Sequence, residues 1–100
     1  MRIVLLCAQG MSTSLLVERM KEAALDRGIH AEIEAHTVDS FEKQLETADV
    51  ILLGPQIRYK KNELFPKAKA AGTPIDIIDM AAYGMINGKK VLEQAIRLVE

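Results

Sequence analysis

Two short runs of the chain are apolar at every position, Ile3-Val4-Leu5-Leu6 and Val50-Ile51-Leu52-Leu53. Runs of that length with no polar position read as strands buried on both faces. The run from His30 to Ala35 alternates instead, with Ala31, Ile33 and Ala35 on one side and Glu32 and Glu34 on the other. One wet face places that strand at a sheet edge. A fourth strand follows Gly72-Thr73-Pro74, over Ile75 to Ile78. Between the strands the apolar period becomes helical. Leu16, Met20, Ala23 and Ala24 predict a helix from about Ser12 to Arg27, with Gly28 as its left-handed cap. Phe41, Leu45 and Ala48 predict a short helix from Ser40 to Glu46, capped by Asp39 or Ser40. A helix between Arg58 and Ala71 contains Pro66, which predicts a disturbed start. Ala81 to Gly84 reads as a single turn. Asn87 caps a last helix running to about Val99, with Val91, Leu92, Ala95 and Leu98 or Val99 turned inward.

Strands alternating with helices predict an α/β fold: a single domain spanning residues 1–100, with a parallel sheet and helices on both faces. The two wholly apolar strands belong in the centre and the alternating one at an edge, which gives the order 2-1-3-4. Chain order reverses between the first and third strands. A ligand crevice is therefore expected beyond their carboxyl ends. Cys7 closes the first strand, and Gly54-Pro55-Gln56 closes the third.

Cys7 is the only cysteine, and a loop of small and hydroxyl residues follows it: Ala8, Gln9, Gly10, Met11, Ser12 and Thr13. A cysteine at the end of a buried strand is ordinarily an inert core thiol. The loop and the helix start behind it change that reading. Backbone N–H groups of such a loop, with the helix N-terminus, favour negative charge at one spot. The same preference favours the reactive thiolate. Gly10 allows close approach of the backbone, and Ser12, Thr13 and Ser14 offer hydroxyls to phosphate or to capping. The expected nucleophile is an exposed thiolate. Gln56 and Tyr83 follow the third and fourth strands and form a candidate rim. Asp79 is expected to cap the turn after the fourth strand.

Composition narrows the classes. A net charge of −1 lacks the basic footprint of nucleic-acid binding, so no nucleic acid is expected. One thiol forms no internal disulfide. The apolar start is too short for a signal or spanning segment, so a cytoplasmic chain is expected. No cluster of His, Cys or acidic residues calls for a metal, and no cofactor is expected.

The loop invites comparison with low-molecular-weight tyrosine phosphatases, whose signature is C-x5-R, and the sheet resembles that fold and flavodoxin-like folds. Here the position six after Cys7 is Thr13. No guanidinium clamps phosphate, and no Asp-Pro pair offers a general acid. A stand-alone phosphatase-like or arsenate-reductase-like enzyme is the alternative that this absence disfavours.

Cys7-Ala8-Gln9-Gly10-Met11-Ser12-Thr13-Ser14-Leu15-Leu16 resembles the phosphocysteine loop of enzyme IIB of the bacterial phosphoenolpyruvate-dependent sugar phosphotransferase system, lactose/cellobiose (chitobiose) class. Leu52 to Tyr59, L-L-G-P-Q-I-R-Y, is similar to a second segment of that family. So are Ile77-Ile78-Asp79 with Tyr83-Gly84, and Asn87 to Leu92. Gln9 departs from the small residue usual there. The resemblance implies a relay: enzyme IIA donates phosphate from a phosphohistidine to Cys7, which passes it to a sugar held by the membrane subunit, enzyme IIC. It implies transient docking at the inner membrane face. It also leans toward a β-linked disaccharide, cellobiose or chitobiose.

Overall fold

The computed structural model describes residues 1–8 and 11–100, with Met11 and Ser12 described by their backbone alone. Four parallel strands, β1 (Arg2–Cys7), β2 (Glu32–Thr37), β3 (Val50–Leu53) and β4 (Ile75–Ile77), form one sheet in the order β2-β1-β3-β4. This is the expected order, and it follows from burial. Every residue of β3 is buried, as is every residue of β1 after Arg2, whereas β2 has one buried position, Ile33.

Side chains alternate across the sheet and build two cores. Ile3, Leu5, Val50 and Leu52 pack on helices α1 (Met11–Asp26) and α5 (Gly88–Val99) through Leu16, Val17, Met20, Val91, Leu92 and Ala95. Val4, Leu6, Ile51 and Leu53 pack on α2 (Phe41–Leu45) and α3 (Lys61–Ala70) through Phe41, Leu64 and Ala68. Helices thus cover both faces. Gly28 takes the left-handed conformation expected of a helix cap, with φ +66°.

Several expectations shift. β2 begins and ends two residues later than its alternation predicts, because its pairing follows β1, from Arg2 opposite Glu32 to Cys7 opposite Thr37. Neither Asp39 nor Ser40 caps α2. A 3₁₀ turn over Val38–Ser40 leads into that helix, and the Ser40 hydroxyl instead donates to the Thr37 carbonyl. The start of α3 is disturbed as predicted, but Pro66 is not the cause. A 3₁₀ segment, Pro55–Lys60, precedes the helix and kinks at Ile57 (φ −112°, ψ 20°). Pro66 sits inside α3 on its exposed side, where water can solvate the carbonyl that the ring leaves without an N–H.

Gln44 is buried, which no apolar period foretells. Its Oε1 accepts from the Arg2 guanidinium at 2.6 Å, and the same guanidinium donates to Thr47 Oγ1 and Glu34 Oε1. Glu34 also bonds His36 at 2.8 Å. The His36 hydrogen bond, then the Arg2 one, hold the Glu34 carboxyl below its ordinary value of 4.5. The folded chain therefore binds this proton less readily than the unfolded chain. Glu34 contributes stability above about pH 4.5, and that contribution is lost as pH falls through the lowered folded value. The side chain is partly exposed, so solvent screens the effect. Thermal melts of Glu34→Gln from pH 3 to pH 7 should show a shallower acid loss than the unchanged chain. Parallel curves would assign the acid sensitivity to other carboxylates.

Candidate active site

The carboxyl ends of β1, β3 and β4 meet the amino ends of α1 and of a short helix, α4 (Met80–Gly84). Cys7 closes β1, next to β3 in the sheet centre. Ile3, Leu5 and Cys7 share one side of the strand, so the thiol turns toward α1. Thr13, in the first turn of α1, is wholly buried, and its Oγ1 lies 3.3 Å from the Cys7 sulfur.

The thiol itself is only 2% exposed, against the expectation of an open nucleophile. Its neighbours account for the burial. Gly54 donates its N–H to the Leu6 carbonyl at 2.8 Å and lies beside Cys7. A Cβ at position 54 would stand 3.5 Å from the Cys7 Cβ and 3.0 Å from Gln56 Oε1. The Gly54 backbone is ordinary (φ −60°, ψ 147°), so space and not torsion favours glycine there. Gln56 and Tyr83, separate candidates in the sequence, are brought together: Gln56 Nε2 donates to the Tyr83 hydroxyl at 3.0 Å. That bond ties the loop after β3 to α4 at the expected crevice.

Of the predicted loop, Ala8 is exposed and Thr13 faces the sulfur. Gln9 and Gly10, and the side chains of Met11 and Ser12, lie outside the described residues. Asp79 caps α4 as expected, its Oδ2 accepting from the Ala82 N–H at 2.9 Å. Leu15, Tyr59 and Met80 are apolar side chains exposed at this end of the sheet, at 46%, 73% and 58%. Leu15 and Met80 were not legible as rim residues, because exposure of a helical leucine or methionine depends on what packs beside it. Among the described residues, no three His, Cys, Asp or Glu side chains gather in a metal-binding group.

Two other features stand apart. A groove of about 700 Å³ lies between α3 and β4 and is lined by Phe65, Pro66, Lys69, Pro74 and Ile75, away from Cys7. Ile86, just after α4, has φ +52° at a helix end where the Asn87 N–H closes back on the Ala82 carbonyl. A β-branched residue is strained in that conformation by about 1–2 kcal/mol. Ile86→Gly should therefore raise stability by about 1 kcal/mol in urea denaturation. A loss of stability would mean that the half-exposed isoleucine side chain outweighs the strain.

The family model for the lactose/cellobiose-specific IIB subunit of the sugar phosphotransferase system matches residues 2–94. The chain belongs to this family. Its fold agrees with membership, and the IIB chain is accordingly a phosphoryl-transfer subunit of sugar uptake. It is 46% identical to the oligo-beta-mannoside-specific EIIB component of Bacillus subtilis, over 98% of this chain and 95% of that one. It is 46% identical to the cellobiose-specific EIIB component of Lactococcus lactis subsp. lactis, over 97% and 94%. The galactose-specific EIIB component of Lactococcus lactis subsp. cremoris is 45% identical, again over 97% and 94%. The solution structure of the cellobiose-specific IIB component of Borrelia burgdorferi superimposes with a TM-score of 0.83 at 42% identity, covering 99% of this chain and 91% of that one.

Proposed function

We propose that Cys7 carries the phosphoryl group between enzyme IIA and a sugar held by enzyme IIC, with residues 1–100 acting as one IIB domain. The observation that carries this reading is the place of the sulfur: at the carboxyl end of a central strand, beneath the first turn of α1, with a hydroxyl 3.3 Å away. There the N-terminal dipole of α1 favours both a thiolate and a phosphate.

Two displacements complete the cycle. The thiolate lone pair forms the S–P bond as the P–N bond of the enzyme IIA phosphohistidine breaks; the ring, protonated on its other nitrogen, takes back the electron pair and leaves as neutral imidazole. A sugar hydroxyl then forms the O–P bond as the S–P bond breaks. Its electron pair returns to sulfur as thiolate, and the hydroxyl proton passes to a base on the sugar-binding partner. The chain's contribution to each step is positioning and charge stabilisation. Ala8, Gln9, Gly10, Met11, Ser12 and Thr13 form the loop around the phosphoryl group. With no arginine at position 13 and a sulfur shielded from solvent, the phosphocysteine outlasts the interval between partners.

Both partners reach one sulfur, so both dock at this end of the sheet and exclude one another. Leu15, Tyr59, Met80 and the Gln56–Tyr83 pair form the rim they share. Small, exchanging interfaces suit such a relay. No helix among the described residues is long and apolar enough to cross a membrane. In the proposed relay the chain docks transiently on enzyme IIC from the cytoplasm. The sugar is a β-linked disaccharide such as cellobiose or chitobiose. The relative named for cellobiose supports this choice, beside relatives named for oligo-beta-mannoside and for galactose at nearly the same identity.

Incubation with phosphorylated enzyme IIA should add one phosphoryl group to the intact mass, placed on Cys7 by peptide mapping. Addition of enzyme IIC and cellobiose should discharge it. A phosphoryl group on any other residue, or rapid loss to water without acceptor, would overturn the relay through Cys7.

A further inference from the structure

The sequence offers the Thr13 hydroxyl to phosphate or to capping, and the structure sets it beside a further partner, the Cys7 sulfur. Thr13 has no exposed surface, and its Oγ1 lies at hydrogen-bonding distance from sulfur, 3.3 Å. We propose that the Thr13 hydroxyl is a catalytic donor to the Cys7 sulfur, stabilising the thiolate both as it attacks and as it leaves. This deepens the reading of Cys7 as phosphoryl carrier and rests on it.

Sulfur changes its charge through the cycle. A thiolate is a full anion and accepts a strong, charge-assisted hydrogen bond. Bonded to phosphorus, the same sulfur is a weak acceptor. A hydroxyl fixed beside it therefore stabilises the two ends of the S–P bond's life more than its middle. It promotes departure of sulfur toward the sugar and keeps the free thiol ready for the next donor. No proton changes hands; the O–H stays on Thr13 throughout.

Geometry favours this donor over others. Threonine at the third position of α1 has a restricted χ1, and the helix fixes its Cβ. The hydroxyl is thus preorganised, and burial removes competing water, so the bond is stronger than it would be at the surface. The arginine of the phosphatase signature would reach past sulfur to the phosphate oxygens. A threonine at the same spacing is too short for that and stops at the sulfur. One substitution in the pattern thereby exchanges a clamp on the phosphate for a hold on the leaving atom, which suits transfer to a second protein better than release to water.

The test is alkylation of the full chain by iodoacetamide as a function of pH, with Thr13→Val, Thr13→Ser and the unchanged protein. Valine matches threonine in shape and removes only the hydroxyl. Its alkylation at pH 7 should be about 5–10-fold slower, converging with the unchanged protein at alkaline pH where every thiol is ionised. Thr13→Ser should restore most of the rate. Phosphoryl discharge to enzyme IIC and sugar should slow in Thr13→Val by a similar factor. Superimposable pH profiles for valine and threonine would overturn the proposal. Should Thr13→Val fail to fold, an NMR pH titration of the unchanged protein decides instead: the Thr13 methyl and Cys7 Cβ signals should move with one midpoint, and a static Thr13 signal would refute the contact. Failure of the underlying reading looks different, since the unchanged protein would then gain no phosphoryl group from enzyme IIA at all.

Discussion

Cys7→Ser will accept phosphate from enzyme IIA at least about 10⁴-fold more slowly than the unchanged chain, the scale expected when a nucleophile without a substitute is removed. Serine keeps the shape of the site, and the hydroxyl of Thr13 remains nearby to bond it. A neutral serine hydroxyl is nevertheless a far weaker nucleophile than a thiolate. Among the described residues, the Thr13, Gln56 and Tyr83 side chains bond at the crevice and none of them is a general base, while the Asp79 carboxylate is committed to the cap of α4. His36 is on β2 and is engaged with Glu34. The variant should still fold, with a melting temperature lowered by a few degrees, because the smaller and more polar oxygen fills this buried site less well than sulfur. Quench-flow or intact-mass time courses with phosphorylated enzyme IIA read the loss directly. Transfer within tenfold of the unchanged rate would remove Cys7 from the relay.

Gly88→Ala is the second large expectation, and it concerns stability. Gly88 opens α5 where that helix crosses α1. A Cβ there would lie 2.4 Å from the Arg19 carbonyl carbon and 2.5 Å from the Met20 nitrogen. These are backbone atoms inside a helix, so no side-chain rotation relieves the clash. Either α5 moves off α1, opening a gap beside Met20, Val91 and Leu92, or the cap at Asn87, whose Oδ1 accepts from the Lys90 N–H, comes apart. Overpacking of this kind costs about 3 kcal/mol. For a chain of 100 residues that lowers the melting temperature by on the order of 15 °C. Differential scanning calorimetry tests it. A melting temperature within a few degrees of the unchanged chain would mean that α1 and α5 slide without loss, and that their contact is less specific than its close approach implies.

The two substitutions separate the working parts of the molecule. Cys7→Ser should remove transfer and spare the fold; Gly88→Ala should weaken the fold without touching a reacting atom. Gly54 stands between them. An alanine there is allowed by the backbone but crowds Gln56 Oε1 at 3.0 Å, so the side chain bonded to Tyr83 has to give by a few tenths of an ångström.

What the sequence alone determined is the part of the structure governed by neighbours along the chain. Unbroken apolar runs are strands covered on both faces, so Ile3 to Leu6 and Val50 to Leu53 had to be central, and the alternating run with Glu32 and Glu34 had to be an edge. That order alone put Cys7 at the crevice. Local hydrogen bonding likewise made the Asn87 and Asp79 caps and the Gly28 turn readable, since a cap bonds residues three or four apart. Tertiary structure decided whatever depends on segments distant in sequence. It placed Thr13 against sulfur, and it buried the thiol that the phosphoryl donor must reach. It explained Gln44 by Arg2, and it joined Gln56 to Tyr83. It also made Gly88 obligatory: nothing in Asn87-Gly88-Lys89 tells that a second helix passes within 2.5 Å of the missing Cβ. Periodicity reports which face of an element is covered. Only the packed molecule reports which atom covers it, because that contact is a property of two elements and neither contains it alone.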